Sequence, residues 1–169
     1  MDIFFEKIVA RKKDMKDILA IAGLVVAAVV AIIAVNTIQV VSQLGIGFIL
    51  AVGFIYLAYR LVTSRNIEYE YIVTNGEIDI DLIESKRKRK RIFSANCKEF
   101  ELLAKASGES FEKDYRDIPT RLMTASTLKS PGAWYIIANY KGVRTLVVFE
   151  PDDRMLSCFR AIIPKKVKD

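Results

Sequence analysis

Six consecutive cations, Lys86, Arg87, Lys88, Arg89, Lys90 and Arg91, are the densest concentration of binding chemistry in this sequence. Such a run attracts phosphate by charge alone, whether on anionic lipid headgroups or on nucleic acid. Close to a membrane surface each residue adds about 1 kcal/mol of attraction to anionic lipid. A plainer reading is a solvated strand end, partly neutralised across a sheet by Glu77, Asp79, Asp81 and Glu84. Opposed charges on paired strands add only about 0.2–1 kcal/mol each. No stacking aromatics are interleaved with the run, which disfavours nucleic acid. From Arg65 onward there are 20 Lys/Arg against 16 Asp/Glu, so the charge is a local patch and not a basic domain. A second basic group, Arg11, Lys12, Lys13 and Lys16, lies near the N-terminus.

Catalytic chemistry is harder to assemble. Histidine is absent, which removes the usual general base, the commonest metal ligand and any His-activated nucleophile. Cys97 and Cys158 stand alone, without C-x-x-C spacing, so no structural zinc site can be built from them. They read as reduced, buried thiols of a cytosolic domain. Asp79 and Asp81 share a strand face, and Asp152-Asp153 opens a helix. The first pair is explained by the cations opposite, the second by the positive end of the helix dipole. Neither a phosphate-binding G-x-x-x-x-G-K-[ST] nor a G-x-S-x-G occurs. Trp134, Tyr135 and Tyr140 read as the core and rim of a hairpin, with a ligand or partner surface as the alternative. The expectation is no catalytic residues, no metal and no cofactor.

The elements that position these residues fall into two solvents. Ile18 through Tyr59 is a stretch of 42 residues without Asp, Glu, Lys or Arg. A hydrocarbon core about 30 Å thick needs about 20 apolar residues in a helix. The block therefore suits two spans, near 18–35 and 44–62, within a membrane region 18–62. Asn36, Thr37, Gln39, Ser42, Gln43, Gly45 and Gly47 supply the turn. A signal peptide has a shorter apolar core and no second span directly after it. Lys and Arg flank the block on both sides and are missing from the turn, which places both termini in the cytoplasm. Gly23, Ala27 and Ala31 in the first span, and Gly47 and Ala51 in the second, form stripes that let the two backbones approach closely. No ionisable residue sits in the block, which argues for an anchor over an ion path. Residues 1–17 show Met1, Phe4, Phe5, Ile8 and Met15 near helical spacing, and predict an amphipathic interfacial helix, with an extended polar leader that merely supplies positive charge as the alternative.

Residues 66–169 change to short alternating strands. Glu68–Thr74 and Glu77–Glu84 flank Asn75-Gly76, a type I′ hairpin signal. Trp134–Tyr140 and Val143–Phe149 form a second hairpin around Lys141-Gly142. Ser107 to about Thr120 reads as a polar connection broken by Gly108 and Pro119. Met155, Leu156, Phe159, Ile162 and Ile163 make the apolar face of a closing helix over 151–163, with Pro151 at its first position. The fold class is α+β: a transmembrane helical hairpin, then an antiparallel β-rich domain with one C-terminal helix.

This element order resembles the small membrane-anchored bacterial pleckstrin-homology-like proteins. EYEYIVTNGEIDID, KRKRKR and FEPDDRMLSCFRAIIPKK more narrowly resemble a family of small Gram-positive two-span membrane proteins. The resemblance implies a bent antiparallel barrel or sheet with a helix plugging one end, and a recognition module without catalytic residues. The expected function is a membrane-anchored, non-enzymatic binding or scaffold module that presents a cytosolic domain to a protein partner. Sensing of anionic lipid through residues 86–91 is the alternative, and an enzyme of unfamiliar type using Asp79 or Asp81 is the third.

Overall fold

The structure, a computed structural model, describes residues 4–39, 41 and 45–168. The chain divides into two units, Lys13–Asn66 and a β-rich unit made of Met1–Lys12 with Ile67–Asp169. Much of the turn expected between the helices, residues 40 and 42–44, lies outside the described residues.

In the first unit, α1 (Met15–Thr37) packs along α2 (Gly47–Thr63). With 23 residues, α1 is long and apolar enough to cross a membrane; α2 is equally apolar but has 17. The less exposed face of α2 carries Gly47, Ala51, Phe54, Ala58 and Val62. A Cβ on Gly47 would meet the Asn36 carboxamide at 2.5 Å, so the backbone comes close to α1 there. The matching face of α1 is Ala20, Ile21, Leu24, Ala28, Ala31 and Val35. Gly23 and Ala27, expected in the contact, are exposed, and nothing lies within 4 Å of a Cβ built on Gly23. Small residues occur on two sides of α1, and spacing alone does not say which side meets a neighbour. At the open end of the pair Arg65 lies 3.3 Å from Asp17, whose carboxylate also accepts from the Asp14 N–H.

The β-rich unit begins with a correction. The stretch expected to form an interfacial helix is instead strand β1 (Phe4–Ala10). It pairs antiparallel with β2 (Ile67–Thr74) from Phe4↔Thr74 to Ala10↔Glu68. Phe4 and Ile8 fit a helical spacing, but Phe5 and Val9 also alternate, and that second set turns to the core. Pairing with β2 across the intervening helices decides the conformation, a tertiary effect that overrides local pattern. Strands β3 (Glu77–Glu84) and β4 (Lys88–Asn96) complete a sheet ordered β1-β2-β3-β4.

The second sheet is ordered β6-β8-β7-β5-β9. It comprises β5 (Phe100–Lys105), β6 (Thr120–Met123), β7 (Trp134–Tyr140), β8 (Val143–Phe149) and β9 (Val167–Lys168). Both expected hairpins form, with Asn75-Gly76 and Lys141-Gly142 all at positive φ as a type I′ turn requires. The sheet is not wholly antiparallel, because β6 runs parallel to β8 and β9 parallel to β5.

One core lies between the two sheets and the C-terminal helix α4 (Asp153–Ile162). Tyr71 meets Phe149 edge to face at 5.7 Å, and Phe100 meets Phe159 at 5.9 Å. Asp152, not Pro151, opens α4: its carboxylate accepts from the Met155 N–H at 2.8 Å. The opposite face of the second sheet is also buried, under a helix where the sequence predicts a polar connection. That helix is α3 (Gly108–Asp117). Its Phe111, with Ile118 just beyond its end, packs on Ala104, Tyr135, Ile137, Leu146 and Val148.

The turn glycines make the packing testable. A Cβ on Gly76 would sit 2.5 Å from Ile162 and 3.0 Å from the Cys97 sulfur, whereas one on Gly142 meets open space. Left-handed backbone costs a non-glycine residue about 1–2 kcal/mol, and overpacking a core adds about 1–3 kcal/mol. Gly76→Ala is therefore expected to lower stability by roughly 2–5 kcal/mol, and Gly142→Ala by only the first amount. Denaturant titration of the detergent-solubilised chain measures both; equal losses would contradict the packing.

Candidate functional site

Ser85 and Lys86 adopt left-handed φ of 54° and 57°, closing a tight turn from β3 into β4. The basic run thus lies along an edge strand and its turn, where side chains alternate between the two sheet faces. Ile92 is an extra residue in β4, so Ile80 faces Phe93 while Asp81 faces Arg91. On one face the arginines are already engaged. Arg89 bonds Glu70 at 2.9 Å, diagonally across β3, and Arg91 reaches both Asp79, at 2.6 Å, and Asp81. Lys86 approaches Glu68 at 3.9 Å. Among the described residues, Arg87, Lys88 and Lys90 are exposed and have no carboxylate within ion-pair distance. Half of the run therefore neutralises its own sheet, through Glu68 and Glu70 as well as the expected Asp79 and Asp81.

Glu70 is the exceptional member, only 1% exposed. Burial raises its carboxyl above the ordinary value; Arg89 opposes that rise, and the neighbouring Glu6 adds to it. Asp152 is held below its ordinary value despite burial, by the Met155 N–H and Arg154. The acidic pairs considered for catalysis are thus occupied structurally, Asp79-Asp81 by Arg91 and Asp152 by α4. Cys97 and Cys158 are buried, and burial pushes both thiols up. Of the N-terminal cations, Arg11 and Lys12 extend β1 through backbone bonds to Ile67 and Ser126. Lys13 and Lys16 are exposed residues of the helical unit.

The second feature is a cleft of about 690 Å³ between α3 and the loop before β7. On one side of it, α3 is fixed to the sheet through Tyr135. The Tyr135 hydroxyl donates to Asp114 at 2.8 Å, and the Phe111 ring packs at a tilt against Tyr135, centroids 5.1 Å apart. Burial raises the Tyr135 phenol, which stays a donor to that carboxylate. Arg121 lies over Tyr115, 4.3 Å from the ring centre, and steadies the end of the helix. Phe111, Tyr115, Leu128, Pro131, Ala106 and Ala133 supply apolar walls, while Lys105, Arg116, Lys129 and Glu112 stand at the rim. Of these residues only Tyr135 stands out in the sequence, as part of the second hairpin; the walls and rim of the cleft do not. Two signals were present: Phe111, Tyr115 and Ile118 at helical spacing, and unbroken apolar runs in β7 and β8. Such runs belong to strands covered on both faces.

Residues 1–169 match the family described as Bacterial PH-like domain (DUF6106). The chain belongs to this family. A PH-like domain suggests a module that binds lipid or protein. No curated protein and no solved structure matches the chain. The α+β mix with antiparallel strand pairing agrees with a PH-like domain.

The pairing of Arg89 with Glu70 has a pH signature. Because the folded-state pKa of Glu70 lies above its ordinary value, the folded chain holds that proton more tightly, and stability falls as pH rises through this window. Removing Arg89 leaves a buried carboxylate without its cation, which costs about 1–3 kcal/mol at neutral pH. Arg89→Ala is expected to destabilise more at pH 7 than at pH 5, and Glu70→Gln to recover most of the loss. Lys90→Ala serves as the comparison in denaturation curves followed by Trp134 fluorescence. Indistinguishable losses for the two cation variants would refute the pairing.

Proposed function

We propose that this protein is a membrane-anchored, non-enzymatic binding module. In this reading α1 and α2 cross the membrane as a hairpin, both chain ends lie in the cytoplasm, and the PH-like domain engages a protein partner. The observation that carries it is the pairing of β1, before the helices, with β2, after them. Two strands of one sheet occupy one compartment, so any crossing between them must be made an even number of times. The two apolar helices supply that even number. The 23 residues of α1 span about 34 Å and the 17 of α2 about 25 Å. The shorter helix sits at the low end of the spanning range, which local thinning of the bilayer accommodates. Arg11, Lys12, Lys13 and Lys16 on one flank, and Arg60 and Arg65 on the other, favour a cytoplasmic location for both ends.

A protein partner is favoured over lipid sensing as the main task because Arg89 and Arg91 are held by carboxylates within their own sheet. Arg87, Lys88 and Lys90 remain as an auxiliary contact to anionic headgroups, about 1 kcal/mol each near the surface and weakened by salt. The test attaches a protease-cleavable tag to each terminus in cells and follows digestion from either side of the membrane. Both tags are expected to resist protease in intact spheroplasts and to be cut after lysis. Crosslinking of the same cells should then capture a recurrent protein through the β-rich unit. Tags on opposite sides would overturn the anchor; capture no different from that of the hairpin alone would overturn the partner.

A further inference from the structure

We propose that the cleft beside α3 binds a single-chain anionic amphiphile, a molecule with one acyl chain and one carboxylate or phosphate head. The inference is independent of the partner reading above. Its volume of about 690 Å³ falls within the range of small-molecule sites, about 300–1,000 Å³. Phe111, Tyr115 and Leu128 offer an apolar body, and Leu128 stays 39% exposed at the lip although nothing in its chemistry favours water.

The rim decides the sign of the head. Three cations, Lys105, Lys129 and Arg116, stand against the single carboxylate of Glu112. The Ala106 N–H donates to the Ala133 carbonyl at 2.9 Å, and the Ala133 N–H donates to the Ser130 carbonyl at 3.0 Å. These bonds bring the segments carrying Lys105 and Lys129 to one edge of the cleft. The first turn of α3, at Gly108, opens on the same cleft, where the positive end of the helix dipole favours an anion. A wholly apolar ligand would gain nothing from these exposed cations, and a wholly polar one nothing from the apolar walls. An acyl chain with an anionic head satisfies both.

The test uses the full chain in nanodiscs of zwitterionic phosphatidylcholine and a palmitate probe bearing a diazirine in its chain. The matching uncharged alcohol provides the second arm. After irradiation, peptides containing residues 105–116 or 128–133 are expected to carry label from the acid several-fold more than from the alcohol. Two partly exposed ion pairs are worth roughly threefold to tenfold in binding. The double variant Lys105→Gln/Lys129→Gln should lower cleft labelling by that factor and leave labelling of residues 13–66 unchanged. Leu128→Asp, which fills the lip with a charge, should reduce it further. Label confined to residues 13–66, equal labelling by acid and alcohol, or a double variant that labels like the parent would overturn the proposal.

Discussion

Seven register positions tie β1 to β2, and the rest of the architecture depends on that pairing. Residues 11–66 are an excursion between two neighbouring strands, whatever solvent the helices occupy. The excursion begins and ends with backbone bonding, since the Arg11 N–H donates to the Ile67 carbonyl at 3.0 Å. Loop closure over such a length carries an entropic cost that grows only slowly with the number of residues. The cost is further reduced when the excursion is itself folded, as α1 and α2 are. Phe5 and Val9 then bury against the core and give β1 a reason to stay.

Burial on both faces of the second sheet has the next largest consequence. An amphipathic sheet needs one covering layer; β7 and β8, apolar almost throughout, need two. The first sheet and α4 cover one face, and α3 covers the other. Because α3 is short and bears few apolar side chains, it covers its face incompletely. The space it leaves beside Leu128 and Pro131 is the cleft. The same physical demand thus creates both the helix and the cavity.

Much of this was legible in the residues. Strict alternation in EIDIDLIE, the Asn75-Gly76 and Lys141-Gly142 turns and the apolar face of α4 are local signals, and each element formed within a residue or two of expectation. The N-terminal strand was not legible, because its partner lies beyond the whole helical stretch and its short pattern fits either period. The third helix was hidden by its composition: GESFEKDYRD reads as solvent-exposed until Phe111, Tyr115 and Ile118 are seen to need the uncovered face of β7 and β8. The fate of the basic run divided similarly. Asp79 and Asp81 opposite Arg91 could be anticipated from the hairpin, but Glu70 could not, since it reaches Arg89 from β2 across an intervening strand.

The β1–β2 pairing itself can be trapped covalently. Ala10 faces Glu68, one position from the hydrogen-bonded pair Arg11 and Ile67, so their side chains sit close at a non-hydrogen-bonded position. Ala10→Cys with Glu68→Cys, in a chain whose Cys97 and Cys158 are changed to alanine, should form a disulfide rapidly in isolated membranes under mild oxidant. Ala10→Cys with Thr74→Cys, at opposite ends of the strands, should not. Failure of the first pair to link, or equal linking of both, would contradict the account of a helical pair looped out between two neighbouring strands.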